Sequence, residues 1–446
     1  MKRLLLAALL VVAACVLAVA RVAGAAVTVV SCQPFGTDDL QAKINGAAVG
    51  DTLSIRGTCT GNFLITQSVT LQAAGSGASL NGGGTGNTVL ITGGLDTIRG
   101  LTITGGLANQ GGGIRVDEGS TLNLVDSTVR GNTAIFVGGG IVSGQSTLNL
   151  VNSNVSGNTT QFLGGGIASF SATLNLTGST VSGNSATDPD EADGGGIEIF
   201  GSTATLTAST VRDNTSGNNG AGIGKEGTGT ALTLTNSTIS GNTGGGAGAG
   251  IGNFGGALAL TNSSVEHNTG GSGGGIFNDS GYENATLTIN NSTVSFNKGM
   301  GEDPFFGGGG GITNFAELGN TASLIATHLT MTGNTAPAGH GGGIADLCGD
   351  GRAALVTVAQ SMIGPVNNSP TPNTAILGGG IYNDGTQCPA SVSLQPGTII
   401  AHNQATNDGG GLYNTGTYSH LLIGPGAVFL FNSPDNISDE SPGGNS

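Results

Sequence analysis

One short motif returns along most of this chain and constrains its fold more than any other feature. Gly-Gly-Gly-Ile stands at Gly111–Ile114, Gly138–Ile141, Gly164–Ile167 and Gly194–Ile197. It returns at Gly273–Ile276, Gly308–Ile312 (with extra glycine), Gly341–Ile344 and Gly378–Ile381. Weaker copies end at Ile223, Ile251 and Leu412, which makes eleven, spaced 25 to 37 residues apart. Self-similarity at such a period marks stacked units, none of which can bury its apolar face alone.

A second motif, apolar-x-x-Asn, accompanies the first. It ends at Asn132, Asn158, Asn184, Asn214, Asn242, Asn268, Asn297 and Asn334, and once more at Asn403. Between the motifs lie alternating segments such as Thr121-Leu122-Asn123-Leu124 and Thr286-Leu287-Thr288-Ile289. Period-two alternation rich in Thr, Val and Ile signals strands, and no sustained helical period interrupts it. One unit reads as three short strands with Ile, Leu and Val inward and Thr, Ser and Asn outward. Stacked units pair strand on strand in parallel, and the repeated Asn forms a corner ladder through its amide. The expectation is an all-β chain folded as a single parallel β-helix. Eleven motif-bearing coils over about 100–431, and about three earlier ones, at ~4.8 Å per coil give a rod of ~65 Å. A second, looser Asn column follows the Ile by two, at Asn253, Asn278, Asn314, Asn383 and Asn414.

The open ends of such a rod need caps. Thr37–Ile44 reads as a short amphipathic capping helix, with Thr37 as N-cap and Leu40 and Ile44 on one face. The cap spans 32–60. At the other end the apolar pattern stops at Phe431, and 432–446 reads as a polar tail.

Lys2 and Arg3, an apolar run over Leu4–Ala20, and Ala23-Gly24-Ala25 together read as a secretory signal peptide over 1–25. Val12-Ala13-Ala14-Cys15 also resembles a bacterial lipobox. No second long apolar run follows, so no transmembrane segment is expected in the mature chain. Without Lys2, Arg3 and Arg21 the chain keeps 9 basic and 27 acidic residues, a formal charge of −18. Nucleic acid and anionic membranes are poor partners for it. Trp is absent and only 4 Tyr are present, which argues against stacked-aromatic sugar platforms. Cys32, Cys59, Cys348 and Cys388 remain after cleavage. An even count on an exported chain suggests two disulfides; three connectivities are possible and the clustering favours Cys32–Cys59 with Cys348–Cys388.

The alternation of GGGI with VxGN resembles the repeat of bacterial polymorphic outer-membrane proteins, with their GGA[ILV] and FxxN motifs. More broadly it resembles the right-handed parallel β-helix, or pectin-lyase-like, superfamily over about Val27 to Phe431. The resemblance implies a right-handed helix and a place outside the bacterial cell, secreted or at the cell surface. Relatives include surface adhesins as well as polysaccharide lyases and hydrolases. This chain shows no C-terminal membrane barrel pattern, and Val replaces the usual Phe.

Hydrolases on this fold need converging carboxylates, and lyases need a base beside acidic Ca²⁺ ligands. Of the expected signatures only Gly339-His340-Gly341 is present, at the entry to a glycine turn, and it reads as a turn histidine. Three insertions lie between the Asn and glycine corners: Ala186–Asp193, Gly299–Phe306 and Asn368–Leu377. Asp188, Asp190, Glu191 and Asp193 in the first could bind Ca²⁺ through carboxylate oxygens; otherwise they form a solvated acidic loop. No other cofactor is expected. Strong repeat geometry without a convergent ionisable cluster leads to the expectation of a non-catalytic, structural or adhesin-like rod, whose partner is an extracellular polysaccharide or another surface protein. The alternative is a carbohydrate-active enzyme, a polysaccharide lyase or glycoside hydrolase.

Overall fold

Each repeat closes one turn of a solenoid, and every turn lays its strands on those of the turn before. In the computed structural model, residues 25–441 are described except 118, 302–307 and 366–370. The expected leader, with Cys15, lies outside the described residues up to residue 24, and so do Phe305 and Phe306. The described strands form four parallel sheets of 15, 14, 11 and 14 strands. In chain order within one turn these are a Leu sheet (Thr121–Val125), a Val sheet (Thr128–Arg130), a short sheet (Thr133–Val137) and an Ile sheet (Ile141–Gly144). The chain is thus a parallel β-helix of about 14 turns, as the repeats require. The three-strand unit is corrected to four. The additional strand lies between the Asn corner and the glycine corner and is as short as two residues, as at Thr159–Thr160, too short to show alternation.

Register explains the motif spacing. Ile141 pairs with Ile167, Leu148 with Leu174, and Val155 with Val181, so each inward residue type forms a column along the axis. These side chains are almost wholly removed from water. At ~2 kcal/mol per buried aliphatic side chain, a repeating apolar column is the main stabilising term of each turn. The glycine turn allows the close approach. A Cβ on Gly139 would collide with the carbonyl oxygens of Thr159 and Gly165.

The corner Asn side chains point inward, not outward as the period-two reading had them, and are buried. Asn158 donates Nδ2 to Asn184 Oδ1 (3.0 Å) and to Val129 O (3.0 Å), while its backbone N–H donates to the same Asn184 Oδ1 (3.0 Å). The same pattern runs through Asn132, Asn184, Asn214, Asn242, Asn268, Asn297 and Asn334. Sequence spacing misses two rungs. Asn373 receives Asn334 and passes to Asn403, which passes to Asn432. An insertion displaces Asn373 from its apolar residue, Ile363. A serine ladder escapes the motif search too: backbone N–H groups of Ser127, Ser153 and Ser179 each donate to the Oγ of the serine one turn on.

The ends differ from expectation in detail. The helix spans Leu40–Gly46, and its N-cap is Asp39, whose Oδ1 accepts from Ala42 N (3.0 Å), rather than Thr37. Leu40 and Ile44 are buried beneath it. Gln41 exchanges hydrogen bonds with Leu64 O (2.9 Å) and Leu64 N (2.8 Å), pairing an edge strand as a neighbour strand would. Cys32 is bonded to Cys59 and Cys348 to Cys388, with Cα atoms 5.0 and 5.3 Å apart. At the far end, Ile437–Asp439 pairs with Leu412–Asn414, so part of the expected polar tail is one more strand. No helix among the described residues is long and apolar enough to cross a membrane.

Candidate functional site

The residue after each inward Ile faces outward, against the glycine turn of its own coil. Small or apolar groups fill this column in most turns: Val142, Ala168, Gly252, Phe277, Ala345. Glu198 stands there instead, fully buried, with neither carboxylate oxygen given a hydrogen-bond donor. Its register partner one turn on is Gly224, where any side chain would collide with the carboxyl. Two positions along the same strands, Phe200 pairs with Glu226. Asp193 precedes Gly194 and accepts from Asn219 N at 2.8 Å.

These three acids share one electrostatic environment. Burial, then the charges of Glu226 and Asp193, raise the Glu198 pKa well above the usual carboxylate range. Burial, with Glu226 adding to it, raises Asp193 to about 7. Loss of hydration disfavours the charged form, and like charges disfavour it further. Tyr282 reaches the cluster from two turns away and donates its phenol to Glu226 Oε2 at 2.8 Å. That bond raises its pKa to about 12, so Tyr282 is a proton donor and not a base at ordinary pH. Lys225, beside Glu226, points inward and is fully buried with Nζ on Gly255 O; burial lowers its pKa to about 8.

An open groove of about 460 Å³ lies at the corner between the Ile and Leu sheets and ends at Gly201, whose N–H donates to Glu226 O (3.1 Å). Its floor repeats over four turns as 119–121, 145–147, 171–173 and 201–203, and none of its described lining residues is charged. Phe170 and Phe200 stand just before the third and fourth of these segments, ring centroids 6.4 Å apart, and Phe200 is 41% exposed. A second open depression, about 510 Å³, lies on the short sheet by Thr159, Gln161 and Pro189, with Asp188 alone as an ionisable group.

The acidic insertion does not form a cation cage. Asp188 Oδ1 accepts from its own loop, Asp190 N (3.1 Å) and Glu191 N (3.0 Å), Asp190 and Glu191 are exposed, and Asp193 turns away to Asn219. No group of three His, Cys, Asp or Glu placed to hold a metal occurs among the described residues. His340 packs its ring on Tyr382 at 4.7 Å, and burial lowers its pKa.

No family model matches the chain, and no curated protein sequence does. Two solved structures share the β-helix fold. One is pectate lyase Pel9A, at 11% identity and TM-score 0.35, covering 75% of this chain and 78% of that one. The other is a PL6 alginate lyase in complex with a trisaccharide, at 16% identity and TM-score 0.40, covering 83% and 85%. The likeness is one of fold, and nothing supports the narrower resemblance to polymorphic outer-membrane repeats. The expectation of a non-catalytic adhesin-like rod is corrected. It rested on the lack of a convergent ionisable cluster, and Asp193, Glu198, Glu226 and Tyr282 form one.

Proposed function

We propose that the chain is a carbohydrate-active enzyme, exported by a bacterium, that cleaves glycosidic bonds by acid–base hydrolysis at the Asp193–Glu226–Tyr282 cluster. The observation that carries this reading is the convergence of carboxyls with displaced pKa values beside an open, hydroxyl-lined groove. Hydrolysis needs one carboxyl that keeps its proton and one group that activates water or attacks the sugar. Asp193, raised to about 7, keeps a proton near neutrality and suits the acid that protonates the leaving oxygen. Glu226, half-buried and held by Tyr282, suits the base that takes the proton from water as its oxygen bonds to the anomeric carbon. Glu198 lies fully buried beneath them, out of reach of a sugar, and its charge adds to the raising of Tyr282. A β-elimination would call for an accessible Arg or Lys base. The cation here is Lys225, committed to Gly255 O inside the solenoid. Two disulfides and the leader sequence support export.

The test is incubation of the purified protein with neutral and uronate polysaccharides, reading reducing ends and unsaturated ends separately. Reducing ends without unsaturation, lost in Glu226→Gln, support hydrolysis. Unsaturated products overturn hydrolysis in favour of elimination.

A further inference from the structure

The groove is open along four turns, but its track is blocked at the fifth. Beyond 201–203 the same corner is formed by Gly229 and Thr230, then by Gly255 and Gly256. The strap Ser280–Asn284 crosses it. Glu283 accepts from Gly229 N at 2.7 Å and lies over Gly255, while Tyr282 reaches Glu226. Both stems are tied down: Ser280 N donates to Phe315 O (3.2 Å), and Gly256 N donates to Asn284 O (3.0 Å). Asn320 Nδ2 adds a bond to Ser280 O (2.9 Å). The cluster therefore sits at the closed end of a trough.

From this, and resting on the hydrolytic reading above, we infer that the trough takes the end of an extended neutral glycan, one sugar per turn, with its terminal unit at Glu226 and Tyr282. Four observations carry the inference. The turns repeat at ~4.8 Å, close to the advance of one pyranose in an extended β-1,4 chain, so equivalent hydroxyls meet equivalent sugars. Gln145, Ser171, Thr173 and Thr203 are exposed along the trough and offer donors and acceptors without charge. In a chain of formal charge −15, an uncharged track favours a neutral sugar over a polyuronate, which the acids at its head would repel. Phe200, register partner of Glu226, places an exposed ring beside the penultimate sugar. Scarcity of Trp and Tyr argued against aromatic platforms; Phe fills that role here.

The probes are length series of xylo-, manno- and cello-oligosaccharides, bare or carrying a bulky fluorophore on one terminus or the other, titrated by calorimetry. The affinity for one series should rise with length until the four open turns are filled and then level off. A fluorophore on one terminus should weaken binding at least tenfold, and on the other terminus leave it unchanged. Phe200→Ala should weaken binding about tenfold, which is about 1.4 kcal/mol. Equal binding of both labelled forms by the unaltered protein would mean the chain passes through the site, and the inference fails while the hydrolytic reading stands. Cleavage confined to uronate polymers, without binding of any neutral series, also overturns the inference alone. Absence of binding and of turnover with every sugar overturns both.

Discussion

Replacing Asp346 with Asn should stabilise the protein, and by an amount that grows with pH. The second inward column runs Asn253, Asn278, Asn314, Asp346, Asn383, Asn414, each Nδ2 donating to the next side-chain oxygen where it can. Asp346 accepts from Asn314 at 2.7 Å but, as a carboxylate, has nothing to donate. Its Oδ2 and the Oδ1 of its register partner Asn383 are both buried acceptors without a donor. A proton on Asp346 satisfies both oxygens and restores the direction of the ladder. Burial accordingly lifts its pKa from 3.8 to about 8. The sign follows from linkage: the folded state holds the proton more tightly than the unfolded one. Its stability advantage is full below about pH 4 and is lost as pH rises to about 8. Between about pH 4 and pH 7, an interval of about three pH units, that loss amounts to about 4 kcal/mol. Asn supplies the donor without titrating. Asp346→Asn should raise the urea midpoint at pH 7 to 8, leave it nearly unchanged at pH 4, and slow amide exchange across Ile344–Cys348. A destabilised variant at pH 8, or a gain independent of pH, refutes the reasoning, because Asp346 would then be ionised and satisfied in the folded protein.

Three further outcomes follow from the same geometry. Asn242→Ala removes bonds to Val211 O and Asn268 Oδ1 and the acceptor used by Asn214. Leaving buried groups orphaned should cost about 3–5 kcal/mol in urea unfolding. Gly139→Ala should abolish soluble expression, whereas Gly144→Ala, where a Cβ meets nothing within 4 Å, should be neutral in the same assay. Hydrolysis should fall as pH rises through about 7, where Asp193 loses its proton, and Asp193→Asn should remove that limb of the pH–rate profile.

Much of the scaffold was legible because each coil repeats the same physical requirement. The inward Ile, Leu and Val columns, the corner Asn and the disulfide partners each solve one local problem, and a solution used eleven times leaves a period in the sequence. The short sheet was not legible because a two-residue strand carries no alternation. Asn373 was hidden by an insertion that moved it along the chain but not in space. The candidate site left no period at all. Asp193, Glu198, Glu226 and Tyr282 lie on coils separated by up to 89 residues, and they meet only once the register stacks those coils. A signal was nevertheless present. Aligned column by column after the Ile, Glu198 stands where most turns carry an uncharged residue, and Lys225, like Asp346, stands among Ser and Asn; a charge in a buried column calls for a reason.

The measurement that bears most directly on the central claim is release of reducing ends from a neutral polysaccharide by wild type and by Glu226→Gln, compared at equal folded concentration. The account predicts turnover by wild type, loss of at least a hundredfold in the variant, and an unchanged urea midpoint, since Glu226 lies outside the asparagine and serine ladders. Undiminished turnover in the variant, or none by wild type on any polysaccharide, would contradict it.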